Sequence, residues 1–193
     1  MRYSVLLMGS VAALSLLTAC STTSAPETKG PRLVADQAQA LDLSVGQVRI
    51  TPPAAADMPT GFNVSSPQML QTYAMRRFIG DSTSSQVLLV SFERADVKYA
   101  RTESSNNVTR WMRLDGHDDY TLSVRMRMTL QNAQGADQVT HEISLQNTLS
   151  LPDAISLDER DRRTKEFTER FLADLDSRAT QALTSTFLVT TPR

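Results

Sequence analysis

Cysteine is almost missing from this 193-residue chain: Cys20 stands alone, which excludes an internal disulfide. Histidine is nearly as scarce, and His117 and His141 by themselves leave little from which to build a metal site. With seven glycines there is no glycine-rich phosphate loop, and no Gly-x-Ser-x-Gly, His-Glu-x-x-His or Cys/His cluster occurs. A hydrolase needs a nucleophile, a base and an orienting group that converge, and the two histidines are the only candidate bases. Neither is well placed. His117 sits in Asp115-Gly116-His117-Asp118-Asp119, which reads as a polar turn and lacks the spacing and closing glutamate of a calcium loop. His141 falls on an apolar strand face, as a hydrogen-bonded core histidine would. The chain is therefore read as a non-enzyme that needs no cofactor and no metal. Twenty basic residues against 21 acidic ones, with no clustered basic face, argue against a nucleic-acid partner.

What is present is a pattern of strict alternation. From Tyr120 to Leu130 apolar and polar residues alternate without error, and from Val139 to Leu151 the same period returns, with His141 and Asn147 in apolar positions. That period belongs to strands with one buried face, and Asn132-Ala133-Gln134-Gly135 between them is turn chemistry. The reading is one long antiparallel hairpin over 118–151. Apolar residues are even-numbered in the first strand and odd-numbered in the second, so facing residues sum to an odd number. A sum of 267 sets Arg125 against Glu142 and Ser123 against Ser144, satisfying burial and cross-strand charge together.

The N-terminus carries a different signal. Arg2 followed by the apolar stretch Val5–Leu17 reads as a targeting segment, too short to remain as a membrane span. It ends in Leu17-Thr18-Ala19-Cys20, which resembles the lipobox of bacterial lipoproteins. The resemblance implies cleavage after residue 19, acylation of the Cys20 thiol, and attachment to a membrane through acyl chains. An ordinary secretory signal with an incidental cysteine is the bland alternative. Ser21 in place of an aspartate implies, by the enteric sorting rule, the outer membrane rather than the inner one, with the protein on the periplasmic face. Residues 20–40 follow as the lipidated end and a polar, proline-containing tether; twenty extended residues reach roughly 65 Å.

Residues 41–193 are expected to form one domain. Leu41–Thr51 switches parity across Gly46, as a strand with a glycine bulge does. Ser66 as N-cap, Pro67 in the first turn and Gly80 as a stop frame a short helix whose stripe is Leu70, Ala74 and Phe78, with Met75 and Ile79 beside it. Arg76 and Arg77 on its other side read as a solvated face, with lipid phosphate contact as the sharper alternative. Gln86–Tyr99 is a strand covered on both sides at one end, or one carrying a bulge near Glu93. Trp111, within Val108–Leu114, reads as a core plug rather than a ligand platform. Ser156 and Glu159 form a capping box for a long C-terminal helix with the stripe Phe167, Phe171, Leu172, Leu175, Ala179, Ala182 and Leu183. Its charged first turns, 158–166, are expected to protrude into water. The tail from Thr184 is expected to fray.

The fold class is therefore α+β: a two-layer sandwich in which an antiparallel sheet of about four strands carries the short helix and the long C-terminal helix on one face. Ala95-Asp96-Val97-Lys98-Tyr99, a polar break, the long hairpin and a Ser-capped C-terminal helix together resemble small envelope lipoproteins of the YajG type. The element order is more loosely similar to the LPS-assembly lipoprotein and to auxiliary lipoproteins of ABC-type lipid transporters. The resemblance implies an envelope component of Gram-negative cells and brings no catalytic residues. This chain departs from it in a shorter, proline-interrupted N-terminal half.

Two functions of different class follow. One is a non-catalytic accessory or scaffold lipoprotein of envelope assembly or transport, docking an envelope protein through Thr121, Ser123, Arg125, Arg127, Thr140, Glu142, Ser144 and Gln146. The other is a module that binds a lipid or glycan fragment between sheet and helices. A pocket left open among Phe92, Met126, Met128 and Phe171 would favour the second; a filled core would favour the first.

Overall fold

A computed structural model describes residues 31–54, 59–62, 64–81, 84–102 and 116–186. The targeting segment, Cys20, residues 21–30 of the tether, Trp111 with the rest of 108–114, and the tail from 187 lie outside the described residues.

The alternating runs form the expected hairpin, β5 (His117–Gln131) and β6 (Asp137–Pro152) in the numbering used below. Asn132 closes the turn: its side-chain oxygen accepts from the N–H of Gln134 at 3.0 Å and of Ala136 at 2.9 Å, while Gly135 adopts φ 81°. The register differs from the expected one by two residues. Facing residues sum to 269, so that Ser123 lies opposite Gln146, Arg125 opposite Ser144 and Met128 opposite His141. Parity alone permits either sum, and the charge pair misled. Arg125 reaches Glu142 diagonally at 3.2 Å, while Arg127, directly opposite, lies 3.6 Å from the same carboxylate. The turn and a shift in register at Leu130/Gln131 fix the pairing instead.

β4 (Val87–Thr102) runs antiparallel to the whole of β5, with a bulge between Phe92 and Arg94. The bulge explains the irregular sequence there: Leu88, Val90 and Phe92 before it, and Ala95 and Val97 after it, all face the core. The 41–51 segment is not one bulged strand. β1 (Leu41–Leu43) pairs in parallel with β3 (Phe78–Gly80), and β2 (Gln47–Thr51) pairs in parallel with the start of β4. The four-stranded sheet, ordered β2-β4-β5-β6, is therefore antiparallel except at its β2 edge. Gly46 marks the point where the chain changes sheets. A Cβ there would fall 1.8 Å from the Ser84 carbonyl oxygen, and one on Gly80 2.6 Å from that of Val45, so only glycines allow the backbones to cross this closely. The helix between β2 and β4 supplies the crossover that a parallel pair requires.

That helix, α1, spans Ser66–Arg77; its N-cap position is Ser65 rather than the expected Ser66, and the Ser65 side chain makes no capping bond. Ser66 is buried and donates to the Ala95 carbonyl at 3.2 Å, pinning the helix start to β4. Leu70, Ala74 and the following Phe78 are buried as expected, together with Tyr73. Met75 and Ile79 are not: they are 62% and 46% exposed. The long helix, α2, spans Leu157–Ser185, and Ser156 accepts from the Glu159 N–H at 3.2 Å. Only this half of the capping box forms, because the Glu159 carboxylate pairs with Arg162 and Arg163 instead. Leu122, Val124, Met126 and Met128 of β5 pack in one buried cluster with Phe171, Leu172 and Leu175 of α2. The two-layer α+β sandwich thus stands. Residues 32–40, expected within the tether, are docked on it: the Leu33 N–H donates to Glu169 O at 3.0 Å, and Arg32 pairs with Glu166 at 3.3 Å.

Candidate functional site

The eight polar residues singled out on the hairpin share the sheet face away from the helices. Hydroxyl pairs tie the strands across it, Thr121 to Thr148 at 2.9 Å and Thr129 to Thr140 at 3.2 Å. Glu93, displaced by the bulge, meets Arg127 at 2.8 Å, and Glu142 lies between Arg125 and Arg127. Arg94 and Asp96 form a further pair two residues apart on β4, and the hydrogen bond from Arg94 holds the Asp96 carboxyl below its ordinary value. Ser123 departs from expectation: it is buried, at the floor of a shallow depression of about 160 Å³ walled by Arg94, Arg125, Ser144 and Gln146. Exposed ion pairs of this kind stabilise a fold by about 0–1 kcal/mol each, so folding alone gives little reason for so many. The face offers guanidinium donors, hydroxyls and amides in a nearly flat array.

A second polar constellation lies at the sheet end where α2 begins. Asp118 is in phase with Tyr120 and Leu122 and therefore points inward, where it is buried. Tyr99 donates to it at 2.8 Å and Arg160 at 3.1 Å, and Arg160 also donates to the Tyr120 hydroxyl, which in turn donates to Thr60 O at 3.0 Å. Arg101 bridges Asp118 and Asp153 at the rim. Beside this network is a cavity of about 540 Å³ walled also by Pro59 and Leu157. Its chemistry is saturated. Asp118 already accepts from a phenol and a guanidinium, burial raises the Tyr120 phenol, and the bond to Asp118 raises that of Tyr99. No free base or nucleophile remains among these groups.

This cleft was missed in the sequence because 158–166 read as a solvated run. Arg160 instead folds back, leaving its side chain 15% exposed. The parity of Asp118 was the available signal: a carboxylate on the buried face needs a partner. His117, read as part of a turn, is the first residue of β5. His141 faces inward on β6, half-buried, but its Nε2 has no hydrogen-bond partner, unlike the bonded core histidine expected. Arg77, read as solvated, joins the Asp176 carboxylate through Nε at 2.7 Å and Nη2 at 3.2 Å, and Tyr73 donates to the same carboxylate at 2.7 Å. Arg77 also donates to Gln39 O at 2.8 Å, so one guanidinium joins α1, α2 and the N-terminal segment.

The pocket that a ligand-binding module would need is filled. Phe92, Met126, Met128 and Phe171 are each 4% exposed or less. A cavity of about 420 Å³ does exist, but on the helix layer, among Leu33, Val34, Val64, Met69 and Leu172 with Lys165 and Glu169 at its mouth. Among the described residues, no three His, Cys, Asp or Glu side chains gather as metal ligands would, and no helix is long and apolar enough to cross a membrane.

No family model matches the chain, and no curated protein matches it. Among solved structures, one it is similar to is a minor lipoprotein from Acinetobacter baumannii, with a TM-score of 0.38 and 10% identity over 77% of this chain and 100% of that one. Another is described as a neuraminyllactose-binding hemagglutinin homolog from Helicobacter pylori, with a TM-score of 0.26 and 6% identity over 78% of this chain and 89% of the other. Both scores lie below 0.5, and neither likeness bears on what this chain does.

Proposed function

We propose that this chain is a membrane-anchored periplasmic lipoprotein, attached through acyl chains on Cys20, that serves as a non-catalytic accessory or scaffold component of the bacterial envelope. The observation that carries the reading is the contrast between the two sides of the sheet. The helix side is packed solid at the position where a ligand pocket would lie, whereas on the outer side no element among the described residues covers Thr121, Arg125, Arg127, Thr140, Glu142, Ser144 and Gln146. A face of paired guanidiniums, carboxylates and hydroxyls suits a polar protein surface, and Ser21 favours the outer membrane as its site. The similarity to envelope lipoproteins of the YajG type supports the same compartment.

The anchor is tested by replacing Cys20 with alanine. Palmitate labelling and signal cleavage should both be lost, and labelling that persists refutes the anchor. The role is tested by purifying the native protein from membranes and extracting it for mass spectrometry. The scaffold reading expects no stoichiometric lipid or glycan beyond the acyl anchor. A bound lipid or glycan that is lost on substituting residues of the helix-layer cavity favours the binding-module reading instead.

A further inference from the structure

Among the described residues β6 is an edge strand, and its own sequence does little to protect it. Native sheets blunt their edges with short strands, lysines, prolines or bulges. The opposite edge follows the rule, since β2 is five residues long. From Val139 to Leu151, β6 has no lysine, no proline and no further register shift, and Glu142 is its one ionised side chain. Arg178 of α2 shows which groups face outward and covers one of them: its Nη1 donates to Ser144 O at 3.5 Å, a bond that a pairing strand would displace. In an antiparallel strand the N–H and C=O of a residue point the same way and alternate along the chain, so the even-numbered residues Thr140 to Ser150 present their backbone groups to the free edge. The short Thr121–Thr148 and Thr129–Thr140 contacts agree, because side chains approach most closely in pairs that do not exchange hydrogen bonds with each other.

We infer that this edge pairs with the β6 edge of a second copy of the same chain, antiparallel and about a two-fold axis perpendicular to the sheet, giving a continuous eight-stranded sheet with all helices on one side. The edge matches itself row by row. In the register whose facing residues sum to 288, inward residues meet inward ones and the half-exposed Val139 and Leu149 face each other, with His141 opposite Asn147. The outer row then brings hydroxyls and amides together. Glu142 adds no like-charge repulsion of consequence, since Arg125 and Arg127 already flank it. An odd sum would set each apolar row against a polar one. A self-paired edge would also double the length of the uncovered polar face, and it is testable whether or not that face docks a partner.

The experiment uses the full chain, expressed in the envelope, with single cysteines placed in turn at Thr140, Glu142, Ser144, Gln146, Thr148 and Ser150; the parent bearing Cys20 alone is the baseline. Twin residues one even position away from a dyad on an even residue are already separated by about four residues, or roughly 13 Å, beyond disulfide reach. Disulfide-linked dimer should therefore peak sharply at Ser144, on which the dyad of the register summing to 288 falls. Adding Gln146→Pro, which removes an outward N–H without touching a bond to β5, should lower the dimer about tenfold or more. The proposal is overturned by a flat or absent crosslinking profile, or by sedimentation of the detergent-solubilised parent as a monomer. Occupation of the edge by a foreign strand instead of a second copy would also overturn it.

Discussion

Removing the Asp176 carboxylate should destabilise the fold far more than removal of an ordinary helix-surface acid. Asp176 is 21% exposed and accepts from two groups that have little access to water: the hydroxyl of fully buried Tyr73 and the Arg77 guanidinium, itself 15% exposed. Burial first, and then the neighbouring Asp176 charge, push the Tyr73 phenol far above its ordinary range, so it remains a donor at every working pH. Asp176→Ala leaves that donor without a partner, at about 1–3 kcal/mol. Breaking a fully buried ion pair costs about 3–5 kcal/mol. Because Arg77 keeps its bonds to Gln39 O and Thr180, and some water reaches it, about 2 kcal/mol is the appropriate share. The sum, about 3–5 kcal/mol, corresponds to a fall in Tm of about 6–20 °C for a domain of this size. Urea denaturation of a form beginning at residue 21 measures it. Tyr73→Phe should cost about 1 kcal/mol by itself, and the double variant less than the sum, since the orphaned hydroxyl is then gone. An Asp176→Ala cost within about 0.5 kcal/mol of zero would refute the reasoning, because that is the range of an unconnected surface change.

Two further outcomes follow from the geometry. Hydrogen bonds from Arg162 and Arg163 hold the Glu159 carboxyl at about 2, against an ordinary 4.5; its contribution to stability is therefore present above about 4.5 and lost as pH falls toward 2, so Glu159→Gln should flatten that acid limb, and an NMR titration midpoint near 4.5 would contradict it. Cysteines at Ser123 and Gln146, in a Cys20-free form, should close a disulfide across the sheet, whereas Ser123 with Ser144 should not; the reverse would restore the sum of 267 and refute the observed register.

The elements were legible where one physical rule governed them. Period-two alternation placed both hairpin strands, Ser156 marked the start of α2, and of the two readings that the parity break after Phe92 allowed, the bulge near Glu93 is the one observed. Rules that several arrangements satisfy gave less. Parity and one ion pair admit two registers, because an arginine side chain reaches a carboxylate diagonally as easily as across. Parallel pairing of β2 depends on the crossover through α1, a three-dimensional relation that the run Leu41–Thr51 does not carry. The candidate face followed from alternation and was legible. The Asp118 cleft was not, because its arginine lies in a run of charges whose local pattern is that of a solvated helix. Only the inward parity of Asp118 hinted that one of those charges had to return to it.

The central claim is that the uncovered face of the sheet is where this protein works. Photo-crosslinking amino acids placed one at a time at Thr121, Arg125, Thr140 and Gln146, in the full chain expressed in its native cells, test it most directly when compared with Gln71 and Gln181 on the helix layer and Leu157 at the cleft. The account predicts that one envelope protein, identified by mass spectrometry, is captured from the sheet positions and not from the helix or cleft positions. Capture of that protein from Gln71, Gln181 or Leu157, with the sheet positions silent, would contradict it.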